Sequence, residues 1–287
     1  MYVSILSACK GRTECAMRDN PLLRRLRDGM ASVASFITIP DSFTAEVMGA
    51  AGVDVLLIDT EHSAMSAAQL QTVLTALYTT EAAVIVRVAD NDPTLIGQAL
   101  DLGAEGVLVP GVRSPAQCRL AVNSCFYPPK GIRGFGPRRA SRLYGDRADY
   151  LARANEEIAV IAMIEHAEAL DDLDAILTTE NLSAVFVGTA DLAVSMGYLH
   201  DLANPAVLQA VTGIAEACRG HQVPFGLFTA NEQAAATWIS RGAQIVTMGS
   251  DLGYLDAGIA QTRQARATLL SRPDGAAPSA SSQSPRH

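Results

Sequence analysis

Short apolar runs recur along this chain, and several of them stop abruptly at a polar or charged residue. Three such runs end directly before Asp59, Arg87 and Glu165, and a fourth ends at the Gly188-Thr189-Ala190-Asp191 segment. Buried parallel strands are continuously apolar because helices cover both faces of their sheet. Each run is therefore predicted to be a buried parallel strand that carries polar groups at its carboxyl end.

Eight strand-like runs alternate with helical patterns. The strands are predicted to start near Ala34, Val53, Ala83, Gly106, Val160, Ala184, Pro224 and Ile245. Helical stretches between them include residues 66–78, 93–102, 146–155, 168–177 and 231–241. Eight β/α units in one domain predict an α/β fold of the (β/α)8 TIM-barrel type. A doubly wound open sheet is disfavoured, because no GxGxxG motif follows the first strand.

The ends of the chain lack this pattern. Residues 1–29 are predicted to be an N-terminal extension in which Leu22-Leu23-Arg24-Arg25-Leu26 forms a short amphipathic helix, and residues 30–270 are predicted to form the barrel domain. Residues 271–287 are rich in Ser, Pro, Ala and Gly without apolar periodicity, which predicts a disordered tail.

Composition narrows the range of partners. The net charge of −8 argues against a nucleic-acid or membrane-surface partner. No apolar run approaches the roughly 20 residues that a membrane helix needs. The five cysteines are an odd number without metal-site spacing, which predicts reduced thiols in a cytoplasmic protein.

Glu165 and Asp191 are the leading pair for a divalent cation. Hard cations such as Mg²⁺ prefer oxygen ligands and are often held by only one or two carboxylates. The alternative is structural: Glu165 would pair with a neighbouring arginine, and Asp191 would cap the helix that starts at Leu192.

Arg87 and His62 are the other candidates for chemistry. An arginine at the end of a buried strand needs an anion, so Arg87 would either stabilise an oxyanion or pair with Asp59 or Glu61. His62 lies three residues after Asp59, which could orient it as a general acid/base. Equally, His62 could sit at a helix N-terminus that Asp59 caps.

These motifs, in this order, resemble the HpcH/HpaI aldolase family, the metal-dependent pyruvate aldolases. The similar stretches are Leu57-Ile58-Asp59-Thr60-Glu61-His62, Val86-Arg87, Leu100-Asp101-Leu102-Gly103-Ala104, Tyr127-Pro128-Pro129, Gly131-Ile132-Arg133-Gly134, Ile164-Glu165 and Val187-Gly188 with Ala190-Asp191-Leu192. The resemblance runs from about Ser32 to Leu252. It departs from the usual pattern at Thr189 and Val88, where proline is common, and at Met163, where glutamine is common.

The resemblance implies a role for each group at the strand ends. Glu165 and Asp191 would bind Mg²⁺ or Mn²⁺, with Co²⁺ as a further possibility. Arg87 would stabilise an enolate oxygen, and His62 with Asp59 would exchange the proton. The backbone of Gly188, Thr189 and Ala190 would bind the carboxylate of pyruvate.

The implied reaction is the reversible cleavage of a 4-hydroxy-2-oxo acid to pyruvate and an aldehyde through an enolate. Alternatives on the same scaffold are oxaloacetate decarboxylation, an acyl-CoA lyase activity, and a non-catalytic barrel that binds 2-oxo acids.

The resemblance also implies a homo-oligomer, typically a hexamer with helix exchange between neighbours. Asp101 and the arginine-bearing loop after Phe126, which contains Arg133, Arg138 and Arg139, would lie near subunit contacts. Arg138 and Arg139 would either select a substrate with a distal carboxylate or bind acidic residues across an interface.

Overall fold

A computed structural model describes residues 18–143, 147–199, 201 and 203–271, and it contains a closed barrel of eight parallel strands in sequence order. The TIM-barrel prediction is confirmed. The strands are Ser32–Ile37 (β1), Val55–Asp59 (β2), Ala83–Arg87 (β3), Gly106–Val109 (β4), Ala159–Ile164 (β5), Ala184–Val187 (β6), Phe225–Phe228 (β7) and Ile245–Ser250 (β8). Each predicted strand start lies within two residues of an observed one.

Helices connect the strands. They are Pro21–Arg27 (α1), Ser42–Gly49 (α2), Ala67–Ala76 (α3), Pro93–Asp101 (α4), Pro115–Cys125 (α5), Ala140–Leu143 (α6), Arg147–Glu157 (α7), Glu168–Asp171 (α8), Leu173–Leu177 (α9), Thr189–Ser195 (α10), Pro205–Gly220 (α11), Glu232–Ser240 (α12) and Asp251–Leu270 (α13). A 3₁₀ turn, Leu77–Thr79, follows α3. The predicted helix 168–177 is divided into α8 and α9, and the predicted start at Asp146 lies outside the described residues.

Local chemistry explains where several helices begin. Proline occupies the first position of α4, α5 and α11, where its missing N–H costs no hydrogen bond. Ser66 caps α3 and completes a capping box with Gln69. These signals fix the helix starts and thereby the lengths of the loops after the strands.

The strand register explains how the barrel mouth acquires its polar groups. Leu57, Ile85, Met163 and Phe186 all belong to the apolar cluster inside the barrel. Side chains alternate between the two faces of a strand, so the residues two positions further along also point inward. Those residues are Asp59, Arg87, Glu165 and Gly188, and all four lie at the carboxyl end of the barrel.

Helix α1 lies within the segment predicted to be an extension, and it contributes to the barrel core. Leu22 and Leu26 are buried in the same interior cluster as the strand residues. The Asn20 side chain caps α1 and also donates to the carbonyl oxygens of Glu105 and Glu157. These contacts lie just before β4 and β5, so α1 packs at the amino end of the barrel. Residues 1–17 lie outside the described part of the chain.

The chain divides into two compact units, residues 1–251 and 252–287. The described portion of the second unit is the body of α13, which presents exposed apolar side chains at Leu252, Leu255 and Ile259. None of the helices in the described residues is long and apolar enough to cross a membrane. The tail predicted to be disordered lies almost wholly outside the described residues, which end at Ser271.

Candidate active site

Arg87 and Asp59 form the central ion pair of the barrel mouth. Nε of Arg87 donates to Oδ1 of Asp59 at 3.0 Å, and Nη2 donates to Oδ2 at 2.7 Å. The two side chains are 12% and 3% exposed, so water screens the pair little. The Arg87 guanidinium also lies 5.1 Å from the centre of the Phe36 ring. Arg87 therefore forms the ion pair with Asp59 that the sequence offered as one of its two readings. Its Nη1 takes no part in this bidentate contact.

The surroundings of Asp59 keep its carboxylate ionised. Burial by itself would raise the pKa of Asp59. The hydrogen bonds and charge of Arg87, together with the backbone N–H groups of His62 and Glu61, outweigh burial and lower the pKa below its usual value. The distances from these two backbone nitrogens to Oδ1 are 3.2 Å and 3.0 Å.

Asp59 thus contacts the backbone of His62, while the side chain of Glu61 lies beside the imidazole. Nε2 of His62 is 3.6 Å from Oε2 of Glu61, and the same oxygen lies 3.2 Å from Nη1 of Arg87 without hydrogen-bond geometry. Burial raises the pKa of Glu61, and the charges of Arg87 and His62 oppose that rise. The sequence-based hypothesis paired His62 with Asp59, whereas the structure places Glu61 beside the ring.

Glu165 is a buried carboxylate held in a fixed orientation. Its Oε1 accepts a hydrogen bond of 2.6 Å from the backbone N–H of Gly111. Gly111 follows β4 and has a φ of 67°, a left-handed conformation that favours glycine. Burial raises the pKa of Glu165, the charge of Asp191 raises it further, and the Gly111 hydrogen bond opposes both.

Gly188 leaves the second carboxylate oxygen accessible. A Cβ at this position would lie 2.7 Å from both Cβ and Oε2 of Glu165 and 3.2 Å from Cε of Met163. The two 2.7 Å approaches are shorter than real Cβ contacts, so a side chain at position 188 would force Glu165 to move. Glycine here keeps the space beside Oε2 open.

Helix α10 begins directly after this glycine and carries Asp191 in its first turn. Asp191 is exposed, and its charge acts on Glu165. The Gly188 carbonyl oxygen accepts from Leu192, which leaves the first N–H groups of the helix, including those of Thr189 and Ala190, without acceptors from the preceding turn. The described side chains provide no cap at this N-terminus.

The donor set of Glu165 and Asp191 fits a hard divalent cation. Both are carboxylates, one oxygen of Glu165 is fixed by Gly111, and the other faces the space beside Gly188. No group of three or more His, Cys, Asp or Glu side chains suited to a metal occurs in the described ranges. Mg²⁺ and similar ions are commonly bound by one or two carboxylates together with substrate oxygens and water, so two protein ligands are sufficient.

Asp101 and Arg133 lie at the opposite end of the barrel within one chain. Asp101 ends α4, which leads back to the start of β4. Arg133 donates from Nη2 to Oδ1 of Asp101 at 2.7 Å and to the Tyr150 hydroxyl at 3.1 Å, and its guanidinium lies 4.6 Å from the Tyr127 ring centre. This cluster therefore organises the segment after α5.

Arg139 and Arg138 lie at the same end of the barrel as Asp101 and Arg133. Arg139 donates to the carbonyl oxygen of Leu102 and, from Nη2 at 2.9 Å, to the Thr75 hydroxyl. Arg138 is exposed. The structure thus separates all four residues from the mouth of their own barrel.

Gly111 and Phe36 contact the candidate catalytic groups, and neither was predicted from the sequence. Gly111 could have been found from the Pro110-Gly111 pair that directly follows β4, since glycine is common where a backbone must approach a functional group. Phe36 lies inside a strand run without any polar neighbour that would have distinguished it from a core residue.

The described fold is a (β/α)8 barrel with ionisable side chains at the carboxyl end of its strands. A sequence model described as HpcH/HpaI aldolase/citrate lyase matches residues 34–256. A 5-keto-4-deoxy-D-glucarate aldolase from Salmonella arizonae is 36% identical over 226 residues, covering 79% of this chain and 88% of the relative. One from Klebsiella pneumoniae is 34% identical over 238 residues, covering 83% and 93%.

Solved structures agree with this result. An HpcH/HpaI aldolase/citrate lyase family protein from Burkholderia cenocepacia has a TM-score of 0.82 at 32% identity, covering 88% of this chain and all of that one. The citrate synthase SbnG has a TM-score of 0.77 at 32% identity, covering 86% and 98%. The chain belongs to the HpcH/HpaI aldolase/citrate lyase family, and it is an aldolase, a carbon–carbon lyase.

Proposed function

We propose that this enzyme is a divalent-metal-dependent aldolase that cleaves a 4-hydroxy-2-oxo acid to pyruvate and an aldehyde. The observation that carries the proposal is the convergence of Asp59, Arg87 and Glu165 at inward-facing strand ends, with Gly188 opening the space beside Glu165. Catalytic groups of TIM barrels lie at this end of the strands.

Glu165 and Asp191 would hold Mg²⁺ or Mn²⁺, and Co²⁺ is a third candidate. A divalent cation bound there would polarise the ketone of a 2-oxo acid and so make the adjacent C–H bonds acidic. A structural neighbour, the citrate lyase β subunit from M. tuberculosis, was crystallised with oxaloacetate and magnesium, but at 16% identity that likeness concerns the fold alone.

The protein's own groups have separate tasks in this proposal. Arg87, fixed by Asp59, would donate from its remaining N–H groups to the C2 oxygen as negative charge grows there. The N–H groups of Thr189 and Ala190, at the start of α10, would bind the substrate carboxylate. His62, with Glu61 beside it, would move the proton.

The proposed cleavage of the 4-hydroxy-2-oxo acid needs no oxidant or reductant. A base removes the proton of the 4-hydroxyl group, the C3–C4 bond breaks, and its electron pair passes into the enolate of pyruvate. Protonation of the enolate carbon then gives the methyl group. In the opposite direction, the enolate carbon attacks the aldehyde.

The curated relatives suggest the substrate class. The name 5-keto-4-deoxy-D-glucarate describes a dicarboxylate whose keto group adjoins one carboxyl and whose nearer hydroxyl is two carbons further on. Numbered from that carboxyl, the molecule is a 4-hydroxy-2-oxo acid with a distal carboxylate. We propose a substrate of this class for the present enzyme.

Another lyase reaction on the same site is the second candidate. The likeness to a citrate synthase at 32% identity favours chemistry in which the same enolate comes from another precursor or attacks another acceptor. Oxaloacetate decarboxylation would use Arg87 in the same role.

We further propose a homo-oligomer, a hexamer by family resemblance, in the cytoplasm. The exposed apolar residues Leu252, Leu255 and Ile259 of α13 support association, since a lone helix gains little from such side chains in water. The three described cysteines are buried free thiols, as expected for a reducing compartment.

The test supplies 5-keto-4-deoxy-D-glucarate and oxaloacetate in parallel to the same Mn²⁺-containing preparation. Pyruvate formation from the first substrate at a clearly higher kcat/KM supports the aldolase proposal. Faster conversion of oxaloacetate supports the second candidate. If Glu165→Gln retains full turnover with both, the proposed metal ligand is wrong.

A further inference from the structure

Thr60 joins the loop that carries His62 to the strand that carries Arg87. Its backbone N–H and its hydroxyl both donate to the main-chain carbonyl oxygen of Arg87, at 2.9 Å and 2.7 Å. A carbonyl oxygen has two lone pairs and can accept both hydrogen bonds. The last register partners of β2 and β3 are Asp59 and Arg87, so the contact of Thr60 continues the attachment of the two strands by one residue.

The loop around Thr60 is held together by its own hydrogen bonds. The carboxylate of Asp59 accepts from the backbone N–H groups of Glu61 and His62. The Ser63 hydroxyl donates to the carbonyl oxygen of Asp59. Because the Thr60 hydroxyl bonds the main chain of β3, it attaches this whole loop, and with it the residue that bears the imidazole, to that strand.

The attachment matters because the proposed reaction uses His62 and Arg87 together. Arg87 would meet the charge that grows on the C2 oxygen, while His62 would move the proton, so both must be aligned with one substrate. A misplacement of about 1 Å can lower a rate about 10²-fold. Threonine suits the contact, since its branched Cβ restricts χ1 and thereby fixes the direction of the hydroxyl.

We propose that Thr60 is a positioning residue for the cleavage reaction, in which its hydroxyl sets the placement of His62 relative to Arg87. The inference rests on the proposed function, since it uses the roles assigned there to these two side chains. Thr60 acts through the carbonyl oxygen of Arg87, and it needs no contact with the substrate.

A second contact of the same kind in the barrel provides a matched control. Thr229 directly follows β7, and its N–H and its hydroxyl both donate to the carbonyl oxygen of Thr247 at 2.9 Å. Phe228 and Thr247 are the last register partners of β7 and β8. The geometry thus matches that of Thr60 at β2 and β3, but the carbonyl oxygen belongs to Thr247 rather than to Arg87.

The experiment removes the hydroxyl at each of the two sites. Thr60→Val keeps the branched shape without the hydroxyl, Thr60→Ser keeps a hydroxyl, and Thr229→Val makes the same deletion at the control site. Steady-state kinetics with Mn²⁺ and 5-keto-4-deoxy-D-glucarate give kcat and KM. Hydrogen exchange followed by mass spectrometry reports on the N–H groups of Glu61 and His62 without turnover, and urea unfolding compares stabilities. Thr60→Ala replaces Thr60→Val if the latter does not fold.

We expect kcat of Thr60→Val to fall about tenfold while KM changes less than about twofold, since alignment matters mainly in the transition state. Hydrogen exchange at Glu61 and His62 should become about fivefold faster, the factor that corresponds to about one net hydrogen bond. Thr60→Ser should restore most of both. Thr229→Val should lose comparable stability but keep the wild-type kcat and the wild-type exchange at these two N–H groups.

Three results would overturn the proposal. They are a kcat of Thr60→Val within about twofold of the wild type, an equal loss of kcat in Thr229→Val, and no recovery in Thr60→Ser. A wild-type enzyme that is inactive on 5-keto-4-deoxy-D-glucarate and on oxaloacetate would contradict the proposed function instead. The attachment of the loop would still be tested by hydrogen exchange, and an unchanged exchange rate in Thr60→Val would contradict it.

Discussion

The guanidinium of Arg87 donates two parallel hydrogen bonds to the carboxylate of Asp59, and the two residues are also register partners on adjacent strands. The pairing of β2 with β3 thus delivers the guanidinium and its carboxylate to the same level of the barrel. A bidentate contact of this kind fixes orientation as well as charge. The remaining N–H groups of Arg87 are consequently aimed by the barrel itself.

Replacing Arg87 with lysine should expose the importance of this orientation. Lysine keeps the positive charge but cannot form the two-pronged contact with Asp59 while also donating to a substrate oxygen. We expect kcat/KM for aldol cleavage to fall about 10²- to 10³-fold, as for the loss of an oxyanion donor. Arg113→Lys, at an exposed arginine paired with Glu168, is the control and should change kcat/KM little. Wild-type turnover in Arg87→Lys would remove Arg87 from the chemistry.

His62→Ala tests the proposed proton transfer. The imidazole is largely exposed beside Glu61, so its removal should leave stability nearly unchanged. We expect the rate of proton exchange on pyruvate to fall about 10²-fold, the lower range for a lost general acid/base. His221→Ala is the matched control, since His221 pairs with Asp174 outside the mouth. Equal exchange rates in the two variants would contradict the role of His62.

Gly188→Ala tests the space beside Glu165. The added methyl group would lie 2.7 Å from Oε2 of Glu165, so the carboxylate must move from its position against Gly111. We expect Mn²⁺ affinity to fall by at least about tenfold, in line with disturbed metal-site geometry. Calorimetric titration of Mn²⁺ measures it.

Gly213→Ala provides the control for that variant. Gly213 lies within α11, and a Cβ there would meet nothing within 4 Å. Helix propensity predicts that this substitution stabilises the protein slightly and leaves Mn²⁺ affinity unchanged. A Gly188→Ala protein that binds Mn²⁺ like the wild type would show that Glu165 is not a ligand.

Because of Asp59, the free energy of unfolding should decrease as the pH falls in the acid range. Its pKa is lowered in the folded state, so its contribution is fully present above the ordinary pKa of about 3.9 and is lost as pH falls through the folded value. Asp59→Asn should therefore be less stable than the wild type at pH 7, by about 3 kcal/mol for a broken buried pair. The difference in unfolding free energy between the wild type and Asp59→Asn should become smaller below about pH 4.

Urea unfolding at several pH values measures the stability difference between the wild type and Asp59→Asn. Asp172→Asn is the control, because Asp172 is exposed and its side chain makes no capping hydrogen bond. It should show no comparable loss at pH 7. A stability gap for Asp59→Asn that stays constant down to pH 3.5 would contradict the assigned shift.

The sequence predicts the barrel and most of its mouth for one physical reason. Strand residues alternate with a period of two, so apolar interior positions such as Leu57 and Ile85 imply where Asp59 and Arg87 must point. The break from apolar to charged residue then marks the carboxyl end of each strand. The backbone donor Gly111 was signalled only by the Pro110-Gly111 pair after β4, because the residue type does not show which acceptor a main-chain N–H contacts.

Contacts between distant segments account for what the sequence did not show. The position of Arg133 depends on Asp101, 32 residues earlier in the chain, and no local pattern encodes that pairing. Likewise, α1 contributes Leu22 and Leu26 to the barrel interior although its surrounding residues are charged.

Exchange of the methyl protons of pyruvate in D₂O tests the central claim most directly, because it requires the enolate but no aldehyde. NMR would follow the methyl signal with the wild type and Glu165→Gln, each with Mn²⁺ and with EDTA. We expect exchange only in the wild type with Mn²⁺, and restoration of exchange when Mn²⁺ is added back after EDTA. Equal exchange with EDTA, or in Glu165→Gln, would contradict an enolate formed at a metal held by Glu165 and Asp191.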